Sequence, residues 1–244
     1  MAIGQHLLFT LVSVAIGFAL GLVLGILLSR RPKLSGVVLP VLSVFNTIPG
    51  IVFIGLLVLA WGAGTATVLV ALGIYATFPV LKNTYAGLVS VDQQYIEAAR
   101  GCGMSAIQSL IRVELPLAMP TIIGGLRMSM VYTVSWAVLA AMIGLGGLGT
   151  FIYQGVQSSN NALILLGAVP VSLLALLFDF IFAKLEQAVT SEGLLPNEQI
   201  QNLPKRVIRR RQVIAVGVCV ALVVVAIGGG IVSDLLHVPI CHPL

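Results

Sequence analysis

Charge is what this sequence has least of. Only 9% of its 244 residues are charged, whereas 59% are hydrophobic and the mean hydropathy is +1.10. Soluble globular domains carry about 25% charged residues, so the composition excludes that class of protein. It predicts a protein whose surface faces lipid.

The chain also lacks a nucleotide-binding motif. It contains no Gly-Lys pair and therefore no GxxxxGK[ST] phosphate-binding loop. Residues 144–149 spell GxGxxG, but the dinucleotide site with that spacing needs a preceding strand, and here an apolar run precedes it. We interpret residues 144–149 as a glycine-rich turn at the external side of the membrane. We expect no cofactor in this chain and no enzymatic activity.

Cysteine is scarce as well, with Cys102, Cys219 and Cys241 widely separated. The placement of the basic residues assigns these cysteines to the cytoplasm, a span and the exterior, respectively, so we expect no disulfide. His237 and His242 lie near Cys241 but with little carboxylate around them, and we expect no metal site there.

Long apolar runs are what the sequence does contain. They predict six membrane-spanning segments at 7–29, 38–60, 65–81, 118–143, 161–183 and 212–232. The fold class is therefore an all-α polytopic membrane protein. Asn46-Thr47-Ile48-Pro49-Gly50 interrupts the second run. Such a break lies either against other helices or beside a water-lined path.

The basic residues give the chain its net charge of +5 and orient it in the membrane. They group at Arg30, Arg31 and Lys33, at Lys82, Arg100 and Arg112, and at Lys184, Lys205, Arg206, Arg209, Arg210 and Arg211. With the N-terminus outside, all three groups face the cytoplasm, as the positive-inside rule requires. The charge therefore indicates topology and requires no nucleic acid partner.

The first span has a face of small residues. Gly17, Gly21 and Gly25 recur every four residues, a spacing that lets membrane helices approach closely. This face packs either within the bundle or across a dimer.

The polar stretch before the fourth span carries the most specific motif. Glu97-Ala98-Ala99 is followed after three residues by Gly103 and after nine more by Val113-Glu114-Leu115-Pro116. This pattern, EAA-x3-G-x9-[I/V]-x-LP, resembles the cytoplasmic loop of binding-protein-dependent ABC importer permeases. The resemblance implies that ATPase subunits, which bind the ATP, dock on these residues: Glu97, Ala98, Ala99, Gly103, Val113, Leu115 and Pro116.

The same resemblance implies a domain organisation. A five-span importer type I permease core is expected at 5–186, with its cytoplasmic coupling loop at 82–117. A cytoplasmic linker at 187–211 and one extra C-terminal span at 212–232 would follow. Such a permease lies in the bacterial cytoplasmic membrane. It pairs with a second copy, identical or not, and works with an extracytoplasmic binding protein.

The residues around the motif resemble one branch of that family. Asn83-Thr84-Tyr85-Ala86-Gly87 and Arg112 to Ala118 are similar to permeases of osmoprotectant importers. This implies transport of glycine betaine, carnitine or choline by alternating access. Permeases for methionine, taurine or other amino acids and sulfonates share the loop and remain alternatives, as does an ion-coupled transporter.

Polar and aromatic residues within spans are candidates for the translocation path. Asn46, Tyr75, Tyr132 and Trp136 are such residues, and aromatic faces attract quaternary ammonium groups. Core packing is the alternative role. Two charges, Arg127 and Asp179, fall inside spans near the cytoplasmic side. Either they form an ion pair or both extend to the interface.

Overall fold

The computed structural model describes residues 2–190, and every regular element in that range is a helix. The α-helices are α1 Ala2–Ser29, α2 Pro32–Phe45, α3 Gly50–Trp61, α4 Thr65–Val89, α5 Gln93–Gly101, α6 Ala106–Ser109, α7 Leu115–Trp136, α8 Gly149–Gln157 and α9 Asn161–Val189. A π-helical turn, Leu110–Glu114, precedes α7, and a 3-10 helix, Ala137–Ile143, follows it. The predicted all-α class is confirmed.

Within residues 2–190, four helical stretches are long and apolar enough to cross a bilayer: 2–29, 65–89, 106–141 and 161–189. The second predicted span, 38–60, is covered by two short helices, α2 and α3. Their 14 and 12 residues rise only about 21 and 18 Å, less than a bilayer core of about 30 Å. The break predicted at Asn46–Gly50 is confirmed, since α2 ends at Phe45 and α3 begins at Gly50.

The core of the bundle consists of α1, α4, α7 and α9, each packed on the next. The glycine face of α1 lies against α4. An added Cβ on Gly17 would lie 2.6 Å from Cβ of Ala76, and one on Gly25 would lie 2.6 Å from Cβ of Thr84. Because these backbones nearly touch, the face is used inside the bundle and not across a dimer.

Helix α4 is longer than the predicted third span. It continues through the exposed Lys82 to Val89 because its last turns pack on α7. There, an added Cβ on Gly87 would lie 3.1 Å from Thr121. The first quarter of the predicted loop at 82–117 is therefore helix.

Helix α8 was not predicted. Its nine residues contain two glycines and no long apolar run, but they pack on α9. The predicted extra span at 212–232, the linker beyond residue 190 and the C-terminal cysteine and histidines lie outside the described residues.

Candidate functional site

Residues 91–114, called here the loop segment, fold into two short helices with well-formed ends. Helix α5 is capped by Asp92, whose carboxylate accepts a hydrogen bond from the Gln94 N–H at 2.9 Å. It ends where the Gly103 N–H bonds the Arg100 carbonyl at 2.9 Å and the Met104 N–H bonds the Ala99 carbonyl at 3.1 Å. This pair of bonds is the Schellman motif, which places the residue after the cap in a left-handed conformation. Gly103 has φ +76°, so the motif glycine has a backbone reason to be there.

Helix α6 leads without interruption into α7. The Ser105 hydroxyl accepts from the Gln108 N–H, and the Gln108 side chain accepts from the Ser105 N–H, which together form a capping box. The π turn follows directly, and Pro116 sits in the first turn of α7, where proline is tolerated. Residues 106–136 therefore form one continuous helical rod.

The predicted docking residues divide between the surface and the bundle. Glu97, Ala98 and Gly103 are exposed, whereas Ala99 is 4% exposed. The Val113, Leu115 and Pro116 side chains are half-buried.

Three exposed apolar residues were missed by the sequence reasoning: Tyr95, Ile107 and Ile111. Ile107 is 70% exposed. The loop segment thus presents small, acidic and apolar groups side by side, which suits contact with another protein.

The ion pair of Glu114 was not predicted from the sequence, because Glu114 stands at the variable position of the Val-x-Leu-Pro motif. Glu114 is only 3% exposed, and both carboxylate oxygens are occupied. Arg30 Nη2, at the end of α1, lies 2.6 Å from Oε2, and the Ser109 hydroxyl donates to Oε1 at 3.2 Å. The available signal was that Arg30 and this loop were both expected at the cytoplasmic face.

The four predicted path residues meet at one cleft of about 300 Å³, called here the aromatic cleft. It is lined by Asn46, Leu72, Tyr75, Pro79, Tyr132, Thr133 and Trp136. The rings of Tyr75 and Trp136 lie 4.0 Å apart, centroid to centroid, and Phe53 meets Tyr75 edge-on at 5.4 Å. Residues from α4, α7 and the α2–α3 break therefore share one aromatic surface.

The break between α2 and α3 helps to build this cleft. The Tyr75 hydroxyl donates to the Ile48 carbonyl at 2.7 Å, which satisfies a backbone group freed by the break. The Trp136 ring lies directly over Gly50, where any side chain would collide with it. Tyr132 is 53% exposed and forms the open rim.

Arg127 and Asp179 are in contact across α7 and α9. Arg127 Nε and Nη2 donate to the two Asp179 oxygens at 2.7 and 2.9 Å, a bidentate geometry. Glu186 adds a third charge, with Oε2 at 3.4 Å from Arg127 Nη1. Glu186 was missed; it lies seven residues after Asp179 and so on the same helix face.

The GxGxxG run forms a turn held by the start of α1. Gly144, Gly146 and Gly147 all have positive φ. The Gly147 N–H donates to Gln5 Oε1 at 3.3 Å, and the buried His6 Nε2–H donates to the Val134 carbonyl at 3.0 Å. This turn is at the opposite end of the bundle from Glu114.

Comparison with known proteins adds the family. A family model described as "Binding-protein-dependent transport system inner membrane component" matches residues 17–191. The carnitine transport permease protein OpuCB of Listeria monocytogenes is 42% identical over 190 residues, which cover 78% of this chain and 87% of the relative. The glycine betaine/carnitine/choline permease protein OpuCB of Bacillus subtilis is 37% identical over 78% of this chain and 88% of its own. The choline permease protein OpuBB of the same species is 35% identical over the same shares.

Solved structures show the same fold. The inward-facing MetNI methionine ABC transporter superposes with a TM-score of 0.71 at 25% identity and covers 78% of this chain and 95% of that one. An amino acid ABC transporter with histidines matches at a TM-score of 0.60 and 20% identity, over 78% and 91% of the two chains, which shows the shared fold alone.

These matches confirm the family resemblance drawn from the Glu97-to-Pro116 pattern. Permeases of this family are not enzymes, and they work with ATPase subunits and a substrate-binding protein. The chain therefore belongs to the inner membrane components of binding-protein-dependent transport systems, and it is a multi-pass permease subunit of the bacterial inner membrane.

Proposed function

We propose that this chain is the permease of an ATP-driven importer for osmoprotectants such as glycine betaine, carnitine or choline. The names of the three relatives support this substrate class. The observation that carries the proposal is the aromatic cleft, in which Tyr75, Tyr132 and Trp136 converge from two helices.

The cleft fits the one group that these substrates share. Glycine betaine and carnitine carry a carboxylate and choline does not, but all three have a trimethylammonium group. That group has no N–H and cannot donate such a hydrogen bond, so its best partners are aromatic faces, which attract it by about 0.5–2 kcal/mol each. The Asn46 amide at the rim offers polar contacts to the rest of the molecule.

Coupling to ATP runs through the loop segment. The ATPase contacts Glu97, Ala98 and the turn at Gly103, while Ala99, Val113, Leu115 and Pro116 position the segment on the bundle. From Ala106 the helical rod rises about 39 Å to Tyr132. Movement of the docked segment therefore reaches the cleft through one rigid element, which provides the switch between outward and inward access.

The proposal includes a second permease copy, identical or sibling. The cleft is open at Asn46 and Tyr132, and a second copy facing it would complete a closed path. We also propose the domain organisation expected from the sequence: a permease core at 5–186, a linker at 187–211 and an extra span at 212–232, with the N-terminus outside. The basic residues support that orientation.

Uptake assays test the substrate class. Proteoliposomes with the cognate ATPase and binding protein are supplied with labelled glycine betaine, carnitine, choline or methionine. We expect ATP-dependent uptake of at least one quaternary ammonium compound and none of methionine. Tyr132→Leu should lower uptake roughly two- to thirtyfold through loss of one cation–π contact, whereas Tyr132→Phe should retain most of it.

Tyr153→Leu is the matched control, because Tyr153 is an exposed tyrosine on α8 that does not line the cleft. Equal losses in Tyr132→Leu and Tyr153→Leu would remove the cleft from the path. ATP-dependent uptake of methionine alone would overturn the substrate class.

A further inference from the structure

Polar contacts join both ends of helix α1 to the two ends of α7. At one end Arg30 binds Glu114, the residue directly before α7, and at the other His6 binds the Val134 carbonyl in the last turns of α7. The two contacts are 24 residues apart along α1, a rise of about 36 Å. The two antiparallel helices are therefore tied across the depth of the bundle.

The Arg30–Glu114 pair is unusual among the polar contacts of the loop segment. Within residues 2–190 it is the one side-chain hydrogen bond or ion pair that joins residues 91–114 to a helix outside that segment. The Glu114 carboxylate is buried and fully partnered, so removing Arg30 leaves a buried charge without its counter-ion. Glu114 also lies in a π turn, a local geometry that often occurs at functional sites.

The far end of α1 contacts the glycine turn. Gln5 accepts a hydrogen bond from the Gly147 N–H, next to the His6 contact with α7. A displacement that enters α1 at Arg30 would therefore arrive at the glycine turn at the opposite end of the bundle.

We infer that the Arg30–Glu114 ion pair is a positioning contact that makes α1 move with α7 when the loop segment is displaced. The inference rests on the proposed function, because it assigns to this pair the transfer of ATPase motion to the external glycine turn. Arg30 and Glu114 are not among the residues that line the aromatic cleft, and we assign them a role that acts through α1.

The test compares coupling and docking in the reconstituted importer. Arg30→Ala should lower substrate uptake per ATP hydrolysed by roughly tenfold, while ATPase copurification and hydrolysis stay near wild-type values. Arg30→Lys keeps the charge and should restore most of the ratio. Glu114→Gln keeps the Ser109 bond and tests the pair without deleting a side chain.

Arg31→Ala is the matched control. Arg31 is the neighbouring exposed cation, and within residues 2–190 its side chain has no hydrogen bond or ion pair. It should leave the ratio unchanged. The double variant Arg30→Ala/Glu114→Gln should be no worse than Arg30→Ala, because both changes remove one contact.

Three outcomes would overturn the inference. Arg30→Ala could have the same uptake per ATP as Arg31→Ala, or the double variant could lose more uptake per ATP than Arg30→Ala alone. The third is that the ATPase no longer copurifies with Arg30→Ala. The last would make Arg30 a docking residue.

A second measurement needs no transport. A nitroxide on the exposed Cys102, with Cys219 and Cys241 changed to serine, reports the mobility of the loop segment. Mobility should rise in Arg30→Ala and not in Arg31→Ala, and an unchanged spectrum would refute the positioning role. If wild-type proteoliposomes show no ATP-dependent uptake, the proposed function fails, and the label still decides whether this ion pair positions the segment.

Discussion

Replacement of Gly103 by alanine tests the coupling role proposed for the turn after α5, and the structure defines the energetic cost of this change. An added Cβ there would meet nothing within 4 Å, so the substitution causes no clash. The cost comes from the backbone, because φ is +76° and a left-handed conformation costs an L-residue about 1–2 kcal/mol. The Schellman hydrogen bonds use backbone atoms and remain available.

That strain has few ways to relax. If the turn unwinds, the bonds from Gly103 and Met104 break and the capping box at Ser105 shifts with them. The docking-competent arrangement of α5 and α6 then loses population, by about tenfold for each 1.4 kcal/mol. We therefore expect the ATPase concentration needed for half-maximal hydrolysis in proteoliposomes to rise about five- to thirtyfold in Gly103→Ala.

Two variants separate strain from other effects. Gly101→Ala adds the same methyl group two residues earlier, also in open space but at a residue with ordinary helical backbone, and should behave as wild type or better. Gly103→Asn adds a larger side chain that tolerates the left-handed region, and should be milder than alanine. Equal effects of Gly101→Ala and Gly103→Ala, or an asparagine variant worse than alanine, would refute the reasoning.

Two further changes test the bundle itself. Gly21→Ala should destabilise the protein by about 1–3 kcal/mol because its Cβ would lie 2.8 Å from atoms of α4. Thermal unfolding in detergent should show a lower unfolding temperature for Gly21→Ala. Gly4→Ala, which adds a Cβ in open space on the same helix, should not lower it. Arg127→Leu should destabilise more than Arg127→Leu combined with Asp179→Leu, because the single change leaves a carboxylate in a membrane helix without its partner; a double variant less stable than the single one would contradict this.

Two features of the loop segment can be predicted from sequence because their requirements are local. A left-handed turn after α5 needs glycine, and a helix start after it favours serine followed by glutamine three residues on. Both are written in consecutive residues. The break at Asn46–Gly50 was predictable for the same reason, since proline and glycine act on the backbone where they stand.

Contacts between distant helices were not predictable in this way. Asn46, Tyr75, Tyr132 and Trp136 were candidates one at a time, but the order in which spans pack is set by close contacts such as those of Gly17 and Gly25 with α4. Glu114 was missed because its role depends on Arg30, 84 residues earlier.

The ends of α4 and of the loop differed from prediction for a related reason. Packing on α7 stabilises helix beyond Lys82, where Lys82, Asn83 and Thr84 interrupt the apolar run.

The positions of the charged side chains bear on how tightly the aromatic cleft would bind its substrate. Within residues 2–190 the ion pairs join Arg30 to Glu114 and Arg127 to Asp179 and Glu186, and the described residues that line the aromatic cleft are uncharged. A carboxylate in the cleft would bind a trimethylammonium group strongly in a low-dielectric site and slow its release. Aromatic faces attract the same group more weakly. A neutral aromatic cleft therefore suits the proposed permease, in which ATP hydrolysis by subunits docked on the loop segment would set the direction of transport, because the substrate must be released as readily as it is bound.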